Sequence, residues 1–407
     1  MALLPLSELD KYIRWLDSER RGKLSALART LRMSSQGLFF KALGKNSQLI
    51  DSCATDILLV QPSKKSQELG RKNHLIEKIK ESGLTIKEIV LKKNNEYARS
   101  YFSPPEEGVP LRYYAIAGYA KYLVEKYKPR VVLTERYDET FSYFIRKYLD
   151  GTGALVHIAH SIPTEDSKLF SFNYCDYYLL FGASSIEKMI KKNVRFGTSK
   201  ACAVGSYLVS ADFFLSPSAP NNQILILSMG DWPRFNRLVE EHYSLLLEWI
   251  SSRQDLNFIV KKHPNKTTSF WDQNSGLFSN LKVLPQSIGM KEALNGVSVV
   301  VNMHSNASID AALLNRPIIP SDPLPYDDEF EVEKYFFNNC LNVQDLNNAY
   351  ADICANYSYY LLQAQKFTRR HIENGCRSVD SLVNILKSIS DGRNDFDYIV
   401  LNHKPPC

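Results

Sequence analysis

Short, uninterrupted apolar runs rich in β-branched residues recur along this chain, separated by longer stretches whose apolar residues return at helical spacing. In the first half they fall at residues 56–60, 130–134, 154–158 and 177–181. A strand without polar alternation has no face left for water, so it belongs inside a sheet covered on both sides. Helical crossovers provide that cover and make the strands parallel. The chain is thereby confined to the α/β class.

The rhythm breaks once and resumes. Residues 210–222 combine Pro, Ser and Asn with a change in charge balance, which marks a domain boundary. Beyond it the pattern predicts strands at 223–228, 257–261, 281–284, 297–302 and 317–320, and helices at 234–252, 291–295 and 307–315. Residues 343–388 read as helices. The expected organisation is two Rossmann-like parallel-sheet domains facing a central cleft. An N-terminal domain with leading helices is expected over 1–215, a second domain over 216–345, and C-terminal helices within 346–407 that pack back on the first.

At 407 residues the chain is too long for one hydrophobic core, which agrees with two domains. No apolar run approaches the ~20 residues that span a bilayer, and the first residues lack the basic, apolar and small-residue order of a secretory signal. The seven cysteines are scattered with no C-x-x-C pair, against a zinc site or disulfide framework and for a reducing, cytoplasmic compartment.

Charge is unevenly divided. Residues 1–222 carry 33 Lys and Arg against 23 Asp and Glu, whereas the remainder carries 17 against 21. A basic first half suits an anionic partner. The absence of RNP-type aromatic motifs, zinc fingers and arginine-rich tails disfavours nucleic acid. Within 9–33, Tyr12, Trp15, Leu16, Leu24, Leu27 and Leu31 recur near helical spacing among Arg14, Arg20, Arg21, Lys23 and Arg29. That stretch is either a helix packed on its domain or a contact with the inner, anionic face of the cytoplasmic membrane.

Ligands of open α/β sheets gather beyond the carboxyl ends of the strands. The second domain has four such ends rich in polar residues: Ser228-Met229-Gly230-Asp231-Trp232, Lys261-Lys262-His263-Pro264-Asn265, Leu284-Pro285-Gln286-Ser287, and Asn302-Met303-His304-Ser305-Asn306-Ala307-Ser308. The last leads from a strand into a helix, whose free N–H groups and the hydroxyls of Ser305 and Ser308 form a seat for phosphate. Simple N-capping by Ser305 or Asn306 is the competing reading, and the first-turn carboxylate of Asp310 opposes an anion there. Pro264 ends its strand and aims His263 out of the sheet, where it can donate to phosphate or protonate a departing one. Gly230 permits close approach of a ligand. Asp231 is either a nucleophile or base, or the cap of the following helix, and Arg234 is placed to bind an anionic sugar or keep that carboxylate ionised.

In the first domain, the strand-end segments beginning at Thr134 and His157 supply Glu135 and His160, which with Glu165 are candidates for activating an acceptor. A structural or merely solvated role is the alternative for each. The acidic run Asp327-Asp328-Glu329 reads as a solvated loop. There is no Walker loop, G-x-S-x-G elbow, H-E-x-x-H or G-x-G-x-x-G, so ATPase, serine hydrolase, zinc protease and dinucleotide oxidoreductase readings lose their support.

Together these residues resemble the two-Rossmann-domain (GT-B) glycosyltransferases that build bacterial surface polysaccharides. Lys262-His263-Pro264 is similar to the His-Pro motif of CMP-sugar-dependent sialyl- and Kdo-transferases, and His304-Ser305-Asn306-Ala307-Ser308 to their downstream Ser/Thr motif. Residues 180–206 resemble the end of the first domain in this superfamily. Of these relatives, the retaining β-Kdo transferase modules of the WbbB type are the best match. The resemblance implies CMP-β-Kdo as donor, a lipid-linked O-antigen or capsule glycan as acceptor, and two displacements through a covalent Kdo adduct on Asp231. It implies that His263, Ser305, Asn306 and Ser308 hold the CMP phosphate, with Lys262 and His304 in the same motifs, and Gln286 and Ser287 near the nucleoside. No metal or other cofactor is implied. The closing Lys404-Pro405-Pro406-Cys407 resembles a linker to further glycosyltransferase modules. Two other functions remain open on the residues: an inverting CMP-sugar or polyol-phosphate transferase, in which Asp231 is a base or a cap, and a non-catalytic sugar-nucleotide or glycan-binding module.

Overall fold

The computed structural model describes residues 5–43, 51–92, 101–135, 139–163, 175–191, 198–209, 212–230, 235–263, 269–303, 305–324, 328 and 330–402. Contact density divides the chain into a unit of Met1–Leu208 with Ser378–Cys407, and a second unit of Val209–Arg377.

The first unit opens with α1 (Leu6–Arg21) and α2 (Lys23–Leu43). Sequence spacing predicts one helical stretch here, but Gly22 adopts φ 77°, a left-handed conformation that favours glycine and ends α1. Then follow β1 (Ile57–Gln61), α3 (Lys64–Glu68), α4 (Asn73–Glu81), β2 (Ile86–Val90), α5 (Leu111–Tyr127), β3 (Val131–Thr134), α6 (Glu139–Leu149), β4 (Ala154–Ile158), β5 (Tyr177–Leu180), α7 (Ala183–Lys191) and β6 (Thr198–Ala203). Every residue of β1, β3 and β5 is buried, as their continuous apolar runs require. β2 and β6 escape a search for such runs because Lys87 and Glu88 interrupt the one and small or polar residues fill the other.

The second unit contains β7 (Gln223–Leu227), α8 (Asn236–Ser252), β8 (Asn257–Lys261), α9 (Phe270–Asn274), β9 (Leu281–Leu284), α10 (Met290–Leu294), β10 (Val299–Asn302), α11 (Ala307–Leu313), β11 (Ile318–Pro320), α12 (Val332–Tyr335), α13 (Val343–Ala355) and α14 (Tyr357–His371). The chain then returns to the first unit with α15 (Ser378–Ser390) and β12 (Ile399–Asn402). The expected terminal segment 346–407 is thus shared. Ile353, Tyr357 and Tyr360 of α13 and α14 join the core around Trp249 and Phe258, whereas Val379, Leu382 and Leu386 of α15 join the core around Ile57 and Leu133.

Among the described residues the first sheet has the order β2-β1-β3-β4-β5-β6-β12, parallel except for the antiparallel edge strand β12. The second has the order β9-β8-β7-β10-β11, all parallel. Strand order reverses between β1 and β3 in the first sheet and between β7 and β10 in the second. Helices leave the sheet in opposite directions at such a reversal, which opens a crevice at the carboxyl ends. No helix among the described residues is long and apolar enough to cross a membrane.

Candidate functional site

In the second unit, the loops leaving β7, β8, β9 and β10 gather the residues expected to bind a donor. The β7 end is held from below. Tyr243 of α8, 1% exposed, pairs its hydroxyl with Ser228 Oγ at 2.8 Å and accepts the Met229 N–H at 3.0 Å. Those bonds fix the backbone entering Gly230. Sequence spacing marks Tyr243 only as an apolar-face residue of a helix, so its role here emerges with the tertiary contact.

Gly230 in turn lies against the ring of His263 from the neighbouring loop. A Cβ at position 230 would stand 3.0 Å from His263 Nδ1 and 3.4 Å from Cγ and Cε1. The absence of a side chain is therefore used for space. The His263 carbonyl accepts from Gln286 Nε2 at 2.7 Å, which ties the β8 end to the β9 end. Gln286 and Ser287 are themselves exposed. Lys262 is half-buried and its Nζ lies 2.7 Å from Asp272 Oδ1 of α9, so its charge is already paired.

At the β10 end, Ser305 Oγ accepts the Ala307 N–H at 3.2 Å. Ser308 is fully buried, and its hydroxyl donates to the Ser305 carbonyl at 3.0 Å. The hydroxyls of Ser305 and Ser308 are thus engaged within the turn itself. Asn306 occupies the cap position of α11 with helical backbone angles and makes no side-chain cap bond. Asn302, 3% exposed at the end of β10, has an Oδ1 without a partner among the described residues. Asp310 makes no side-chain hydrogen bond to a described residue, and burial pushes its carboxyl up to about 7. Near and below neutral pH it is substantially protonated, which weakens its opposition to an anion on the adjoining turn. Asp231, Arg234, His304 and Glu165 lie outside the described residues.

The first unit has its own polar cluster at its strand-order reversal. Lys72, 3% exposed, places Nζ 2.8 Å from Glu135 Oε1 beyond β3 and donates to Gln61 Oε1 at the end of β1, also at 2.8 Å. Gln61 donates onward to Glu88 at 2.7 Å, and Tyr207 donates its hydroxyl to Glu135. His157 of β4 is fully buried beside the Glu135 carbonyl, 3.1 Å from Nε2; burial, with a smaller contribution from His160, lowers its pKa to about 3 and keeps it neutral. His160 is exposed two residues beyond β4. Its pKa is lowered by local desolvation against the attraction of Glu135. The expectation for Glu135 and His160 finds both near one sheet end. Sequence spacing does not single out Lys72, since nothing in Arg71-Lys72-Asn73 distinguishes a buried ammonium from a solvated one.

Among the described residues no three His, Cys, Asp or Glu side chains form a group able to hold a metal ion.

Two Rossmann-type units with these strand orders define a fold of the GT-B type. No family profile and no curated protein matches the sequence. Similar solved structures include the UDP-GlcNAc 2-epimerase of Neisseria meningitidis bound to UDP-GlcNAc, at 12% identity and TM-score 0.53, covering 82% of this chain and 99% of that one. S. aureus MnaA, solved with UDP, is 11% identical with TM-score 0.55, over 83% and 97% of the two chains. The kitacinnamycin glycotransferase is 11% identical with TM-score 0.50, over 82% and 99%. At such identities the likeness is one of fold.

Proposed function

We propose that the chain is a retaining β-Kdo glycosyltransferase that takes Kdo from CMP-β-Kdo and passes it to a lipid-linked bacterial surface glycan. The observation that carries this reading is the placement of Lys262, His263 and residues Ser305–Ser308 at the carboxyl end of one sheet, with His263 packed on Gly230 beside the strand-order reversal. UDP-GlcNAc in one neighbour's solved structure and UDP in another's support a sugar-nucleotide donor in general. The choice of CMP and Kdo rests on the resemblance of the motifs.

In this reading, Asp231 attacks the anomeric carbon as the bond to the CMP phosphate breaks, giving an aspartyl–Kdo ester and CMP. His263 and the β10 turn stabilise the charge that develops on the departing phosphate. An acceptor hydroxyl then displaces Asp231, its proton passing to a base, and two inversions leave the configuration retained. Glu135 and His160, with Glu165, are the first-unit candidates for handling that proton. Ser308, buried and bonded to Ser305, contributes by shaping the turn.

Incubation with a panel of CMP-activated sugars and synthetic lipid-linked acceptors tests the proposal. CMP-Kdo is expected to be consumed with formation of a β-linked product by NMR, and acceptor-starved protein is expected to gain a Kdo-sized mass on Asp231. An inverted product would assign an inverting CMP-sugar transferase. CMP binding without CMP release, when donor and acceptor are both present, would leave only a binding module.

A further inference from the structure

Helix α2 is amphipathic in the wrong sense for a helix that merely covers a domain. Small residues make its closest inward contacts: Ala26 is buried, and Gly37 packs so closely on α5 that an added Cβ would overlap the Leu111 carbonyl oxygen. Phe40 anchors the same helix on Phe102, with ring centroids 5.2 Å apart. Four of its leucines point to solvent instead. Leu24, Leu27, Leu31 and Leu38 are 85%, 57%, 63% and 58% exposed. At helical spacing these four leucines fall within an arc of roughly 60° and run along about 21 Å of the helix.

Charge frames this stripe. On the helical wheel Lys23 and Lys41 flank one side of it and Arg32 the other, all three exposed, and α2 contains no Asp or Glu. Arg29, turned away from the stripe, is the basic residue paired to an acidic one, Asp17 of α1. An apolar strip with cationic margins and no anionic residue matches the boundary between the acyl chains and headgroups of an anionic bilayer. A second copy of the chain suits it poorly: the strip is narrow against the ~800 Å² per partner that a stable dimer buries, and identical cationic margins would repel one another.

We infer that α2 is a membrane-docking helix that lies on an anionic lipid surface, its four leucines inserted and Lys23, Arg32 and Lys41 at the headgroups. The inference goes beyond the donor-site reading and is tested without any sugar nucleotide. The full chain is to be sedimented with vesicles of phosphatidylcholine containing one-third phosphatidylglycerol, with pure phosphatidylcholine as comparison. Binding is expected to the anionic vesicles and to weaken sharply in about 0.5 M NaCl. Leu27→Gln with Leu31→Gln is expected to reduce partitioning at least about tenfold. Each of Lys23→Glu, Arg32→Glu and Lys41→Glu is expected to reduce it on the order of fivefold or more. Because all five side chains are substantially exposed, unchanged melting of each variant verifies that the fold is intact. No vesicle binding, equal binding to both lipid compositions, or anionic binding unaffected by the leucine pair would overturn the inference. So would light scattering that shows a dimer dissolved by the leucine pair in a chain that ignores vesicles.

Discussion

The imidazole of His263 rests on the backbone of Gly230, with 3.0 Å between Nδ1 and the place a Cβ would occupy. Loops from two adjacent strands are thus in close contact at this point. Gly230→Ala is expected to displace the ring by a few tenths of an ångström and lower kcat/KM for CMP-Kdo by at least about tenfold, equivalent to ~1.4 kcal/mol. The expected loss of melting temperature is no more than about 2–4 °C. Steady-state kinetics with a thermal melt reads both, and full activity in this variant would remove His263 from the site.

Tyr243 supports the same loop from α8 through Ser228 and the Met229 N–H. Tyr243→Phe keeps the ring and leaves that buried N–H without its acceptor, at an expected cost of about 1–3 kcal/mol in urea unfolding. Ser228→Ala removes the contact with the Tyr243 hydroxyl and the 3.4 Å bond to the Met229 carbonyl, and leaves the Met229 N–H paired. Combined, the two substitutions are expected to cost less than their separate sum, because they delete the same bond.

Asp310 gives the second unit a distinctive pH dependence. Its folded pKa of about 7 lies above its ordinary value of 3.8, so the folded protein holds a proton that the unfolded chain releases. Below about pH 3.8 the carboxyl costs the fold nothing; as pH rises toward 7 stability is lost progressively, by up to about 4 kcal/mol for a shift of this size, because the fold must either hold the proton or bury the charge. Asp310→Asn is expected to be near neutral in stability at pH 4 and stabilising at pH 8. Urea midpoints at the two pH values give the comparison; an equal effect at both would show that the carboxyl is ionised in the fold throughout.

Lys72 and Glu135 form a buried pair in the first unit. Lys72→Met strands the carboxylate beside Tyr207 and is expected to cost roughly 3 kcal/mol or more, whereas Lys72→Met with Glu135→Leu recovers much of that loss because no buried charge remains. A double-mutant cycle by denaturant unfolding measures the coupling. If the double variant is as unstable as the single, the pair is not held by charge compensation.

Much of the architecture could be read from the chain itself. β4, β8 and β9 begin and end at the residues that hydrophobic patterning predicts, and the α/β class follows from strands that leave no polar face. Short-range physics decides these features, since residue type and spacing alone determine what a strand or helix must bury. That Gly230, Lys262, His263 and Ser305 follow strand ends is likewise legible in the sequence. Contact across the chain decided the rest. Gly22 splits the leading helical stretch, α15 leaves its helical neighbours for the first unit, and the leucines of α2 face outward because Ala26 and Gly37 face in. Burial of Lys72, the raised pKa of Asp310 and the grip of Tyr243 on the β7 loop also depend on residues distant in sequence. A side chain's polarity states what it would cost to bury; only the assembled neighbours determine whether that cost is met.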